Sequence, residues 1–566
     1  MSSNFNSSFA GKVTKLVAAA LALLTLAGCA QLPRSSEIMV GPEIKGDIAS
    51  DYLYYSPSGP SVGESQQDIL SGFINAGTGP QNDYQAAREY LAQSFRAKWN
   101  PNAEVLIQQG NPTISFNAKQ EASVTVQVQA SVDADGHYQV MDSGTVRALT
   151  FGMVRENGEW RISRAPNLTI LIRPVFDVIF RSYSIYFYDQ PMQHLVPDLR
   201  WFPSRASTAT RMVNALLKGP SDWLKPAVSS AIPAGTALSL NSVTVAEGIA
   251  SVDLTAKALT AKVSARRLMK AQIRATLTQL PNVYSVTISV ERGPQEIADL
   301  VDMKPTLLND QAVILQDGQL QVLDVGYNTP IGGTAQFINQ VGATDFAITN
   351  DHDWVALKSA KGVYRGHLRL FGNSPTLIDG RVGQLVPSFD VNGYLWTMTR
   401  TAGDSILVTS LDGIRHSFTA SWLDAFPKRQ FSISAEGSRV AVLVGSGTSV
   451  RVFVAGIIRD STGLPVALGA PIEVARAGTS PISASWADEA TLAVLQSQSA
   501  GAVSTNLVTV GGTSREFASL DSARSLEVRN ATSTTYAVDS QHSLFEYRNL
   551  SWSKIRSNVQ SIHFTN

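Results

Sequence analysis

The feature that most constrains the fold of this chain is a repeat in its second half. An acidic or small polar turn followed by a short apolar strand recurs from about residue 305 onward. Asp351-His352 precedes Trp354-Val355-Ala356-Leu357, Asn392-Gly393 precedes Tyr394-Leu395-Trp396-Thr397-Met398, and Glu436-Gly437 precedes Val440-Ala441-Val442-Leu443. Asp488-Glu489 precedes Leu492-Ala493-Val494-Leu495, and Thr532-Ser533 precedes Tyr536-Ala537-Val538. The intervals are 41, 44, 52 and 44 residues, and the long one carries a Gly/Pro-containing insertion at 456–471. A period of ~40–50 residues with short strands is the blade length of a β-propeller, in which each small sheet buries its faces only against its neighbours. Asp317-Gly318 before Leu320-Gln321-Val322-Leu323 reads as a sixth, divergent copy, so residues 305–566 are expected to form an all-β propeller of about six blades.

The N-terminus makes a different demand. Lys12 and Lys15 precede an apolar run from Leu16 to Ala27, which is too short to span a bilayer and has the length of a signal-peptide core. It ends in Leu26-Ala27-Gly28-Cys29, which resembles the bacterial lipobox. The resemblance implies cleavage after residue 28 and a lipid on the Cys29 thiol. Cys29 is the only cysteine of 566 residues, so the mature chain has no internal disulfide and no cysteine metal site. Residues 29–61, with Pro33, Pro42, Pro57 and Pro60 and no periodicity, read as a tether. The chain has 46 Lys and Arg against 46 Asp and Glu, and loss of Lys12 and Lys15 leaves the mature part near −2. No basic block is apparent. Nucleic acid is therefore not an expected partner, and the membrane is expected to be held by lipid rather than charge.

Between tether and propeller lie two α+β patterns. In residues 62–175, Ser65 to Asp68 resembles a capping box ahead of Ile69, Leu70, Phe73 and Ile74 at helical spacing. Asp83 is expected to open a second helix with Tyr84, Ala87, Leu91 and Phe95 on one face. Val124, Val126, Val128 and Ala130 then alternate with polar residues as a half-buried strand, and a later strand closes on Gly158-Glu159-Trp160-Arg161-Ile162. Two helices, Trp99-Asn100-Pro101 and this strand set resemble an NTF2-like cone, and the resemblance implies a cavity. His137 in Asp133-Ala134-Asp135-Gly136-His137 reads as an exposed loop histidine.

In residues 182–293, a helix through Met212, Val213, Leu216 and Leu217 stops at Gly219-Pro220, and a second through Met269, Ile273, Leu277 and Leu280 stops at Pro281. Tyr186-Phe187, Leu195–Arg200, Leu216-Leu217-Lys218-Gly219-Pro220-Ser221, Ile232-Pro233-Ala234-Gly235-Thr236 and Val252-Asp253-Leu254 resemble the GerMN domain. These are turn and core residues, so they specify a fold and no chemistry.

Catalytic spacings are missing from the sequence. There is no His-Glu-x-x-His, no Gly-x-Ser-x-Gly ahead of a helix, no P-loop and no Rossmann glycine run. The seven histidines form no pair at metal-ligand spacing. Asp351-His352-Asp353 falls on a blade turn, where such residues cap loops. Ser551 and Lys554 fit Ser-x-x-Lys but sit in a strand without the partner motifs. Trp354, Trp396, Trp422 and Trp486 are spaced with the blades and read as blade core. The expectation is a protein that is not an enzyme, with no catalytic, metal or cofactor residues and Cys29 as its one functional site.

The order of lipobox, NTF2-like cone, GerMN domain and propeller resembles the LpqB family of actinobacterial lipoproteins over essentially the whole mature chain. The resemblance implies anchorage on the extracytoplasmic face of the cell membrane. It also implies association with the extracellular part of a two-component sensor histidine kinase of the MtrA/MtrB system, affecting envelope homeostasis and division. Direct binding of cell wall is the alternative, and an enzyme with a pocket in the cone or propeller channel is the third.

Overall fold

The computed structural model describes residues 57–566 apart from 118–120, 206, 301–308, 325–327, 371–373, 448, 476–480, 498–502, 530–533 and 566. The signal peptide, Cys29, residues 29–56 of the tether, Pro305 and the turn Thr532-Ser533 lie outside the described residues.

The end of the expected tether is packed rather than free. Tyr90 Oη donates to the Ser58 carbonyl at 3.1 Å, and Pro57 lies against Gly79. The helix Gln66–Ala76 follows, started by the capping box that its sequence suggested: Ser65 Oγ accepts from Asp68 N at 3.2 Å and Asp68 Oδ2 accepts from Ser65 N at 3.3 Å. Ile69, Leu70, Phe73 and Ala76 are its buried face.

The second expected helix is cut short, spanning only Gln85–Glu89. Asn82, Asp83 and Tyr84 are all left-handed, with φ of 46°, 56° and 59°, which postpones its start. At its other end a strand claims the backbone: Ala92 N donates to the Ile162 carbonyl and Ile162 N to the Tyr90 carbonyl. Tyr84, Ala87 and Leu91 still point into the core, so the apolar pattern was real although its helical period was not.

A seven-stranded sheet covers this layer, in the order Glu159–Arg164, Val146–Glu156, Glu121–Asp133, Glu104–Gln108, Thr169–Ile172, with two short strands also paired to Glu121–Asp133. Along Glu121–Asp133, Val124, Val126 and Val128 are buried while Thr125 and Gln127 face solvent, the alternation a pleated strand enforces.

The middle domain opens with the antiparallel hairpin Phe180–Asp189 and Leu195–Pro203, paired from Phe180↔Pro203 to Tyr188↔Leu195. The helices Thr208–Lys218 and Val263–Leu277 pack over one core with Ile185, Phe187, Met212, Val213, Met269 and Ile273. Its second sheet pairs Ile249–Leu254 in parallel with Ser285–Val290.

From residue 312 onward, six antiparallel sheets follow one another among the described residues. The inner strands of the last five blades are Ala343–Ile348, Ser388–Phe389, Lys428–Ile433, Pro481–Trp486 and Ala523–Arg529. The first blade takes its inner strand from the C-terminus: Val559–Phe564 pairs with Ala312–Gln316, and this closes the ring. Without the C-terminal strand, Ala312–Gln316 would be an open inner edge; with it paired, each blade keeps only short strands as edges. Closure also shifts one sequence correspondence. The turns at Asp351, Asn392, Glu436 and Asp488 join inner to second strands, whereas Asp317-Gly318 joins the second and third strands of blade one. The Asp317 copy is a neighbouring turn, because the two ends of the chain stand where the equivalent turn would be. The 456–471 insertion forms part of an extended blade of five strands, with Pro465–Leu468 and Ile472–Ala475 both paired to Ser449–Arg459.

Candidate functional site

No constellation of nucleophile and base forms around the residues singled out in the sequence. Asp351 caps its own turn, accepting from Thr349 Oγ1 at 2.6 Å and Asp353 N at 2.9 Å, and Arg369 pairs with Asp353. Ser551 Oγ donates to the Arg548 carbonyl within the same strand pair. Trp396 and Trp486 are wholly buried. Trp396 Nε1 donates to Asp390 and Trp486 Nε1 to the Ser432 carbonyl, while Arg365 stacks on Trp354 and Trp422 Nε1 bonds the Gly469 carbonyl. These four tryptophans serve blade packing. Cys29 lies outside the described residues.

The polar chemistry collects instead where the domains meet. The hairpin Phe180–Pro203 is the hub. Asp198, 2 % exposed, binds Arg200 Nη2 at 2.6 Å, Ser221 N at 2.7 Å and Ser221 Oγ at 2.6 Å. A buried carboxylate persists only when its lone pairs are filled in this way. Arg200 reaches on to the Asp135 carbonyl of the first domain, Trp201 N donates to the Gly136 carbonyl at 2.8 Å, and Lys218 pairs with Asp135. The turn that carries His137, expected to be an exposed loop histidine, is thus a contact between domains. His137 is only partly exposed and its Nδ1 lies 2.8 Å from Asp133 Oδ2. Asp133, Asp135 and His137 are also the one group among the described residues whose ligand atoms lie close enough to hold a metal ion. His137 and Lys218 already engage both carboxylates, and nothing else marks a metal.

Trp201 faces the propeller too, its Nε1 donating to the Gly511 carbonyl at 3.2 Å. Beside it, Glu489 Oε1 accepts from Tyr186 Oη at 2.7 Å and Ser184 Oγ at 3.3 Å. Burial pushes the Glu489 carboxyl above its usual range, against the lowering effect of these bonds and of Arg439. The insertion in the fourth blade supplies the second contact. Gly456 lies so close to Ala227 that a Cβ would come within 2.7 Å, and Gly469 abuts the Trp223 carbonyl.

Inside the ring, side chains bridge blades. Arg459 Nη2 reaches Asp390 Oδ2 at 2.7 Å, and Arg439 Nη2 donates to the Glu489 carbonyl at 2.6 Å. At the closure, His563 on the C-terminal strand lies between carboxylates of both neighbours, with Nε2 2.7 Å from Asp345 Oδ1 and Nδ1 3.5 Å from Glu527 Oε1. Burial alone would lower its pKa, but the two carboxylates win and raise it to about 10. Its imidazolium is a three-blade clasp. No spacing rule could have found it, because Asp345 and His563 are 218 residues apart.

The polar groups of this arrangement are largely spent on one another. A small apolar recess remains in the first domain between Phe73, Trp99, Phe151, Leu168 and Ile170.

Three family models match the chain. Residues 59–177 match the N-terminal domain of lipoprotein LpqB, residues 184–296 match a model described as sporulation and spore germination, and residues 318–561 match the lipoprotein LpqB β-propeller domain. Lipoprotein LpqB of Thermobifida fusca (strain YX) is 25% identical over 575 residues, covering 89% of this chain and 90% of the relative. That of Corynebacterium jeikeium (strain K411) is 27% identical over 511 residues, covering 83% and 82%. Among solved structures, the first GerMN domain of the sporulation protein GerM from Bacillus subtilis is 22% identical, covering 22% of this chain and 92% of that one with a TM-score of 0.18.

Proposed function

The chain belongs to the LpqB family of lipoproteins, and on that premise we propose that lipid on Cys29 holds it to the outer face of the cell membrane, where it acts as an accessory partner of a sensor histidine kinase. The observation that carries this reading is the junction of the three domains. Asp135, Gly136, Trp201, Gly511, Tyr186 and Glu489 tie them into one block through polar contacts. A block on a tether presents fixed surfaces to a membrane-embedded partner.

Attachment by lipid is consistent with the described residues, none of whose helices is long and apolar enough to cross a membrane. One acyl chain binds weakly and two bind firmly, and a diacylglyceryl cysteine supplies at least two. Confinement to the membrane raises the effective concentration against any partner embedded there, so a weak interface suffices. Tighter binding to one conformation of the kinase then shifts its signalling equilibrium by that difference in affinity. The protein acts in this reading without catalysis.

The test uses the mature full-length chain as bait on detergent-solubilised membranes, beside a Cys29→Ser version followed by cell fractionation. Capture of a sensor kinase, with release of the Cys29→Ser chain from the membrane, supports the proposal. Retention by isolated cell wall with no kinase captured replaces signalling with wall binding. Membrane retention of Cys29→Ser removes the anchor.

A further inference from the structure

We propose that the corner of the middle domain around Lys257–Arg267 is a docking surface for an anionic lipid bilayer. Between Asp253 and Glu291 the chain carries Lys257, Lys262, Arg266, Arg267, Lys270 and Arg274 and not one acidic residue. In the sequence these cations are diluted over many positions and form no block. Folding gathers them, because a short helical turn at Ala256–Thr260 runs directly into the helix Val263–Leu277.

The groups facing this corner leave much of its charge unopposed. Asp299 takes Lys270 at 3.1 Å and lies 3.9 Å from Arg274, and its carbonyl accepts from Arg267. The Glu291 carboxylate accepts from Ala256 N and Ser239 Oγ. Among the described residues Arg266 donates only to the Ala261 and Leu259 carbonyls. Lys257 and Lys262 are exposed and have no ion pair among the described residues.

Two further observations point outward. The helix begins badly for its own stability. Lys262 stands at the N-cap with no side-chain cap, no acid occupies the first turn, and Arg266 and Arg267 follow immediately. Helix N-termini favour Ser, Thr, Asp or Asn caps and negative charge, so this placement opposes the helix dipole. The apolar tips also lie among the cations, with Val263 77% exposed and Leu259 42% exposed. Single exposed apolar residues are ordinary. Two of them at a cationic, acid-free corner match the mixed demand of a bilayer interface, where apolar tips enter the headgroup boundary and cations meet anionic lipid. A soluble acidic polymer would reward only the charge.

The inference rests on the anchored reading, which brings a bilayer within reach. The 28 steps between Cys29 and residue 57 reach at most ~100 Å when fully extended.

The experiment uses the mature chain with Cys29→Ser, so that binding owes nothing to the lipid. It is sedimented with vesicles of phosphatidylcholine alone, or of equimolar phosphatidylglycerol and phosphatidylcholine. Binding only to the anionic vesicles, weakening with salt, is expected. Each basic residue near such a surface is worth roughly fivefold, so Lys257→Gln with Lys262→Gln lowers the partition by about 25-fold. Val263→Ser weakens it further with the salt dependence unchanged. Both lysines and Val263 are exposed, and equal melting temperatures confirm the fold. Equal binding to both vesicle types overturns the proposal, as does unchanged affinity of the double variant. Retention on immobilised polyglutamate with no vesicle binding assigns the corner to an acidic polymer instead. Failure here leaves lipid anchorage intact, since that is read by fractionation of the native and Cys29→Ser chains.

Discussion

The Tyr186 hydroxyl and the Glu489 carboxylate, 303 positions apart, meet at 2.7 Å where the middle domain sits on the propeller. Desolvation there raises the carboxyl pKa, so the folded state holds the proton more tightly than the unfolded chain does. The sign follows from linkage. This group's stabilising contribution is full below the ordinary glutamate pKa and is lost as pH rises through the elevated folded value. Docking is therefore expected to tighten on mild acidification. Glu489→Gln keeps an acceptor for Tyr186 and removes the charge, so it should flatten that pH dependence and leave the neutral-pH melting temperature equal or higher. Tyr186→Phe, which leaves the acceptor short of a partner, should cost about 1–3 kcal/mol. Melting curves across pH decide both.

The clasp at His563 titrates in a higher range. Its pKa is raised to about 10 while that of Asp345 is lowered, by the His563 charge and hydrogen bond working against burial. The histidine's contribution is complete below its unfolded pKa of ~6.5 and disappears as pH rises through about 10. The Asp345 contribution is present above the ordinary aspartate pKa and disappears as pH falls through its lowered folded value. Ring closure is expected to be firmest between the ordinary aspartate pKa and ~6.5, in mildly acidic solution. His563→Gln should cost about 2 kcal/mol and speed amide exchange selectively in Val559–Phe564. Uniform acceleration throughout the propeller would contradict the clasp.

Asp390 is a third test. It is wholly buried, paired with Arg459 at 2.7 Å, and accepts from Trp396 Nε1 at 2.9 Å. Asp390→Ala strands a buried guanidinium and should destabilise the propeller by about 3–5 kcal/mol, whereas replacing the pair by apolar residues of similar volume should cost far less. Denaturant unfolding of the single and double variants measures the difference.

Gly136 tests the junction of the first two domains. Its φ is +86°, and a Cβ there would fall 2.9 Å from the Trp201 carbonyl oxygen. Gly136→Val meets strain and collision together, so it is expected to separate the domains while leaving each fold in place. New protease sensitivity near residue 136 with unchanged circular dichroism would show this. A protease pattern like that of the native chain would mean the contact at Trp201 is dispensable.

Elements whose cause is local are legible along the chain. The capping box at Ser65, the alternation of Val124, Val126 and Val128, the stop at Gly219-Pro220 and the turn-plus-strand period of the blades all record burial on one face or the chemistry of a turn. Both are written in residues a few positions apart. Whatever depends on which surfaces meet was settled by packing. Backbone pairing with Ile162 ended the second helix before Leu91 and Phe95, although their spacing suited a helix. The C-terminal strand displaced the correspondence of Asp317-Gly318, because ring closure joins two chain ends that no local pattern connects. His137 became part of an interdomain turn, and the scattered cations from Lys257 to Arg274 became one corner. Hydrophobic periodicity constrains which side of an element is buried and leaves open what buries it. Long-range partners such as Asp345 with His563, or Tyr186 with Glu489, are fixed only when packed domains bring both groups out of water together, where an unpaired polar group is costly.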